Sequence, residues 1–309
     1  LYDLKEDKIV SDNIIMDKID AYALEKGLVY SPRDMEVFKD KIYFAVNAIG
    51  LVSYDPSSED VIIYDVSYIS SHIDKTVGEP DLSITYAMRV MRSFSNYLAI
   101  GYSRGVMKFD GELFSVMYTG PTSVLYLAES NEGKLLYNRT TGIFEVDDDF
   151  ETVKQIPLIE DVEGNVLKFL VEDNAIYYNL NSRLFKTELV NGEYKQKEII
   201  IPYVKGSIVE ISKIAYKSND GSVKSKYVIA SQTQIYIVDN LNDEELDNYE
   251  FYDATNGLKA IPANTSGYYD EEEQKYYFQT SNGVFVYDFN EAKNDTIPVK
   301  IAAPSIELD

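Results

Sequence analysis

KYYFQTSNGVFVYDF, Lys275 to Phe289, has the pattern of a β-hairpin. Tyr276 to Thr280 make one strand and Ser281-Asn282-Gly283 the turn. On the return strand Val284 and Val286 alternate with Phe285 and Tyr287, the period of two that a half-buried strand requires. The phrase recurs as KIYFAVNAIGLVSYDP from Lys41, YLAIGYSRGVMKFDG from Tyr97, KLLYNRTTGIFEVDD from Lys134, AIYYNLNSRLFKTEL from Ala175 and KYVIASQTQIYIVDN from Lys226. Six copies of one supersecondary unit mark a repeat protein.

The turn positions align at Gly50, Gly105, Gly142, Arg183, Gln234 and Gly283, 37 to 55 residues apart. A strand-and-turn repeat of that length is what a four-stranded propeller blade needs, because each small sheet buries its faces only against its neighbours. The expected fold is all-β, a β-propeller of six four-stranded blades, or seven if the fragment at Leu1 is the remnant of another. Residues 1–297 are expected to form one domain whose ring is closed by an N-terminal strand at Ile19 to Leu24. Residues 298–309, punctuated by Pro298 and Pro304, read as an extended linker toward a further domain.

Glycine at the turns supplies positive φ cheaply; Arg183 and Gln234 break the rule, so the fourth and fifth copies are expected to turn differently. Five residues after each turn stands an acid: Asp55, Asp110, Asp147, Glu188, Asp239 and Asp288. Repetition in every copy points to a backbone role, accepting N–H groups of the next turn. Gly27-Leu28 echoes Gly257-Leu258. The longest interval, between copies one and two, holds DVSYISSHIDKTVGEPDLSITYAMRVMRS, expected to form a short helix or an extended loop.

Composition narrows the function. The 309 residues carry 29 basic and 52 acidic side chains, a net charge of −23, which repels phosphate backbones and anionic lipids and argues against nucleic acid as a partner. The chain has no cysteine, so disulfides, thiol nucleophiles and thiolate metal sites are excluded. No run approaches the roughly 20 apolar residues of a membrane span. The N-x-S/T triplets at Asn138, Asn264 and Asn294 are no more than chance supplies.

The repeat resembles that of the two-component regulator propeller family. In the last copy Gly257-Leu258, Asp270, Thr280, Gly283, Val284, Tyr287 and Asp288 fall on matching positions, and in the first Gly27-Leu28, Gly50-Leu51, Tyr54 and Asp55 do. The family's tryptophan is replaced by Phe44, Ala99, Leu136, Tyr177, Val228 and Tyr277. The resemblance implies an extracytoplasmic (periplasmic or cell-surface) sensor, membrane-anchored in the full-length protein. It also implies a carbohydrate or other small nutrient-derived ligand and a downstream signalling domain in the same polypeptide, reached through the C-terminal tail; a homodimer whose rearrangement carries the signal is one way for binding to favour one of two arrangements.

No catalytic signature accompanies the repeat. The single histidine, His72, follows Ser70-Ser71 in a polar insertion without a nucleophile-elbow pattern. Gly-rich phosphate loops and calcium loops are missing, and the acid clusters Asp147 to Asp149, Asp243 to Glu245 and Asp270 to Glu273 read as solvated turns. No cofactor, metal or catalytic residue is expected, and a non-enzymatic recognition role follows. Loops leading into the inner strands converge on one face around the channel, and they offer Tyr30, Arg33, Tyr86, Arg89, Arg92, Thr122, Asn165 and Asn264 as ligand-binding candidates. The arginines suit an anionic group and the tyrosines a ring. Two alternatives stand beside this reading: a propeller glycosidase or lyase with paired carboxylates, and a scaffold binding another protein through an apolar patch.

Overall fold

The computed structural model describes all residues except 1, 4–7, 10–13, 79–86, 119, 121, 141, 148, 161, 219, 243, 247, 260, 262–266, 282 and 291–309. Tyr86, Asn264, Asn294, the 298–309 linker and parts of two acid clusters lie outside the described residues. The fold is a six-bladed β-propeller. Each blade is an antiparallel meander in sequence order, and every repeated phrase is the second and third strands of one blade.

The chain divides into two compact units, residues 1–140 with 144–155, and residues 141–143 with 156–309. In the first, blade one comprises Ser31–Phe38, Lys41–Asn47, Gly50–Asp55 and Asp60–Tyr64. Blade two comprises Met88–Ser93, Leu98–Tyr102, Gly105–Phe109 and Phe114–Tyr118. Blade three comprises Leu127–Glu129, Leu135–Arg139, Gly142–Val146 and Val153–Ile156. The core between blades one and two includes Leu51, Leu98, Ile100, Phe109 and Phe114, all with essentially no exposed surface. Each such side chain contributes about 1.5–3 kcal/mol by leaving water.

In the second unit, blade four comprises Phe169–Glu172, Ala175–Leu180, Arg183–Val190 and Glu193–Ile199. Blade five comprises Ile208–Lys217, Val223–Ser231, Ile235–Val238 and Tyr249–Tyr252. Blade six shows Gly267–Asp270, Lys275–Thr280 and Gly283–Asp288, three strands among the described residues. The hairpin pairs Thr280 with Gly283 and Tyr277 with Val286, burying Phe285 and Tyr287 on one face. Blades four and five are latched by Glu172, which accepts from Tyr227 Oη at 2.6 and 2.8 Å and pairs with Lys213.

The expected strand at Ile19 to Leu24 is instead part of helix α1, Ile14–Lys26. Ile15, Ile19 and Ala23 recur every four residues, the helical rather than the strand period, and all three are buried against Val46, Ile49 and Val52 of blade one. Lys26 in the last turn and Gly27 at φ +65° end it in the usual way. The Gly-Leu echo is therefore a helix stop. Leu28 N–H reaches back to Ala23 O at 2.8 Å, and Leu258 N–H to Asp253 O at 3.0 Å behind the 3-10 turn Ala254–Asn256.

The long insertion forms a short helix, α2, Val66–Ser71, capped by Asp65, whose carboxylate accepts Tyr68 N–H. A fifth strand, Ile73–Val77, then lies parallel to Phe114–Tyr118 at the outer edge of blade two.

Among the described residues, three of the six repeated acids are seen to act on the following turn as expected. Asp55 accepts Ser57 N–H at 2.9 Å, Asp110 accepts Glu112 and Leu113 N–H at 2.9 Å, and Asp288 accepts Asn290 N–H at 2.8 Å. The turn glycines divide in their reasons. Gly50 and Gly283 have φ of +134° and +131°. Gly105 is not in the left-handed region; an added Cβ there would lie 2.0 Å from Met117 O. Asn138 is fully buried and accepts Leu125 and Tyr126 N–H, so its triplet is structural.

Candidate functional site

The loop Ile200 to Ser207 joins the last strand of blade four to the first of blade five with the sequence IIPYVKGS. Pro202 fixes φ, and the next residue, Tyr203, sits at φ +61°, a left-handed backbone that costs a bulky side chain about 1–2 kcal/mol. Tyr203 is 84% exposed, so burial of its ring does not compensate.

Gln234 holds the loop in this state. Its side chain is 2% exposed; Nε2 donates to Tyr203 O at 3.1 Å and Oε1 accepts Lys205 N–H at 2.5 Å. Tyr236 Oη adds a bond to Pro202 O at 2.9 Å. The missing turn glycine of blade five is thereby explained, because the position needs a carboxamide to strap the incoming loop.

The result is a cleft of about 290 Å³ lined by Pro202, Tyr203, Lys205, Gln234, Tyr249, Phe251 and Asp253. Behind it the buried Tyr236 ring meets Tyr249 and Phe251 at centroid distances of 5.6 and 5.1 Å. Burial pushes the Tyr236 hydroxyl up to about 12. Asp253 is held below the usual carboxylate range by the Thr255 hydroxyl and N–H, with Lys205 contributing. Among the described residues, no hydrogen bond or ion pair takes up the Tyr203 and Tyr249 hydroxyls or the Lys205 ammonium. Aromatic faces with a free donor on one rim and an acid on the other suit a ring that is apolar on its faces and polar at its edge.

A larger cleft of about 440 Å³ lies in the first unit, lined by Lys39, Lys41, Tyr43, Tyr64, Asp110, Gly111 and Glu112. Its cations are engaged: Lys39 Nζ donates to Asp110 O at 2.5 Å and Lys41 lies 3.5 Å from Asp55. Among the described residues no group of three or more His, Cys, Asp or Glu side chains is placed to hold a metal ion.

The candidates named from sequence separate. Arg33 lies on the first strand of blade one, and Arg89 and Arg92 on the neighbouring first strand of blade two. Tyr30 donates to Asp20 of α1 at 2.5 Å. Thr122 accepts Arg139 Nε at 2.9 Å. Asn165 is in the second unit, where its backbone pairs with Asn181. His72 ends α2, its ring stacked on Tyr68 at 3.9 Å with Nδ1 facing Tyr68 O at 2.8 Å. The aromatic cleft was missed. Its signal was Gln234 in a glycine position followed through space by an unpatterned Pro-Tyr, and only the fold brings the two together.

No family model matches the chain, and no curated protein matches it. Solved structures do. The extracellular domain of a one-component system from B. thetaiotaomicron aligns with TM-score 0.56 and 14% identity over 82% of this chain and 32% of that one. The extracellular domain of a hybrid two-component system from the same organism gives 0.57 and 16% over 84% and 33%. A catalytically inactive histidine-to-alanine variant of virginiamycin B lyase from Staphylococcus aureus, with quinupristin, gives 0.58 and 12% over 84% and 82%. The chain thus spans about a third of the two receptor domains. These likenesses establish a shared propeller fold.

Proposed function

We propose that the chain is a non-catalytic ligand-sensing module, the extracytoplasmic recognition part of a signalling receptor, and that its ligand is an oligosaccharide or similar small ring compound. The observation that carries this reading is Tyr203, an exposed ring held at a strained backbone by a buried glutamine in front of an aromatic wall. Strain of that kind is maintained by its surroundings and is characteristic of binding loops. Extracellular receptor propellers among the similar structures support the setting. The reading without catalysis is supported by His72, which is committed to the end of α2. Signalling requires that ligand favour one of two receptor arrangements, as a dimer rearrangement would provide.

Calorimetric titration of the chain with a panel of neutral oligosaccharides tests this, with the recovered ligand analysed for cleavage. Saturable binding of intact ligand, lost in Tyr203→Ala, is the expected result. Turnover of the ligand, or binding unchanged in Tyr203→Ala, overturns it.

A further inference from the structure

The first strands of blades one and two each carry a bulge near their start. The register shifts between Pro32 and Asp34, leaving Arg33 as the extra residue, and between Met88 and Val90, leaving Arg89. A bulge re-aims the side chain it inserts, and here both inserted side chains are guanidiniums. The two strands are neighbours: Asp34 Oδ2 accepts Met91 N–H at 2.6 Å and Glu36 Oε1 accepts Ser93 N–H at 3.2 Å.

Those same bonds occupy the nearby acids. Asp34 also accepts Met35 N–H through Oδ1, so both its oxygens are bound to backbone. Among the described residues no carboxylate pairs with Arg33, Arg89 or Arg92, in a chain with 52 acids. Arg89 Nε is shielded from solvent and has no acceptor, a state that a buried donor keeps only at a cost that an acceptor would relieve. The bulge itself does not demand arginine. Blade five has the same shift between Ile208 and Glu210, and its extra residue is Val209.

We propose that Arg33 and Arg89 form an oxyanion site, which takes a carboxylate or sulfate group carried by a ligand. The guanidinium fork matches two oxygens of such a group, and one oxyanion would bridge the exposed Arg33 and the half-buried Arg89, whose Nε is shielded from solvent, across the two neighbouring strands. Its ligand chemistry differs from that of the Tyr203 cleft, and either site can fail without the other.

The test titrates the intact chain with glucuronate, sulfate and neutral methyl glucoside at fixed ionic strength. It follows heat and the Arg Nε–H signals by nitrogen-edited NMR. Saturable binding of glucuronate or sulfate should move the Arg89 Nε–H resonance. Affinity should weaken about tenfold or more in Arg89→Lys, which keeps charge but loses the fork, and in Arg33→Gln at the exposed position. Preference between the two anions separates a carboxylate-bearing from a sulfated ligand. Arg183→Gln, which removes a guanidinium already paired with Glu198 at 2.5 Å, should leave binding unchanged. No saturable oxyanion binding, equal binding in Arg33→Gln, or competition by methyl glucoside overturns the proposal.

Discussion

Tyr287 Oη donates to Glu250 Oε1 at 2.7 Å, tying the third strand of blade six to the fourth strand of blade five. Glu250 also accepts Lys226 Nζ at 2.6 Å and Tyr252 Oη at 3.2 Å. The Tyr287 ring is buried, and burial with the Glu250 carboxylate raises its hydroxyl far above the ordinary tyrosine range. Tyr287→Phe keeps the ring and leaves Glu250 one donor short, so unfolding by denaturant should show a loss of about 1–2 kcal/mol. A change below the error of the extrapolation would mean the latch contributes nothing.

Tyr203→Gly should uncouple binding from stability. The ring is exposed and φ is positive, so the variant should lose saccharide binding while unfolding at the same or higher denaturant, gaining up to about 1 kcal/mol. Lower stability would show that the ring supports the fold.

Two glycines should respond differently to alanine. Gly105→Ala drives a Cβ into Met117 O, and about 3 kcal/mol of destabilisation is expected, the upper end of overpacking. At Gly27 an added Cβ meets nothing within 4 Å, so Gly27→Ala costs only the left-handed conformation, about 1 kcal/mol. Equal losses in a thermal unfolding comparison would contradict this account.

Stability should fall at alkaline pH. Burial pushes the hydroxyls of Tyr43, Tyr137, Tyr177, Tyr178 and Tyr236 up to about 12, against about 10 in an unfolded chain. A raised folded value gives stability that is complete below pH 10 and lost as pH rises toward 12. Tyrosinate absorbance should therefore appear together with loss of strand signal. Smooth titration near pH 10 with the fold intact would refute it.

At acid pH the sign reverses. Asp110 is held below the usual carboxylate range by Leu113 N–H, against the opposing effect of burial, with Glu112 N–H and Lys39 assisting. Its contribution is present above about pH 4 and is lost as pH falls through the lowered folded value. Asp110→Asn should flatten the acid limb of the stability curve, and an unchanged limb would exclude the carboxylate as its source.

The blades were legible because Phe285 and Tyr287, or Leu98 and Ile100, repeat a period of two that only a strand satisfies. Helix α1 was not, since Gly27-Leu28 ends a helix in the same words that Gly257-Leu258 ends a 3-10 turn. The arginine pair was half legible. Residue type flagged Arg33 and Arg89, while their equivalence depends on register shifts that no local pattern announces. The Tyr203 cleft was hidden because its parts, Tyr203, Gln234 and Phe251, are spread over 49 residues and meet only through blade pairing.

Strand Ile73–Val77 runs along the outermost strand of blade two in the parallel sense. It carries Asp74 and Lys75, and Lys75 reaches Glu151 at 3.1 Å. The flank of that blade therefore offers a foreign chain a short, charged margin in place of FSVMY, the aromatic and β-branched segment beneath. Without this cover the outermost strand of blade two would present unpaired N–H and C=O groups to any extended chain that met it.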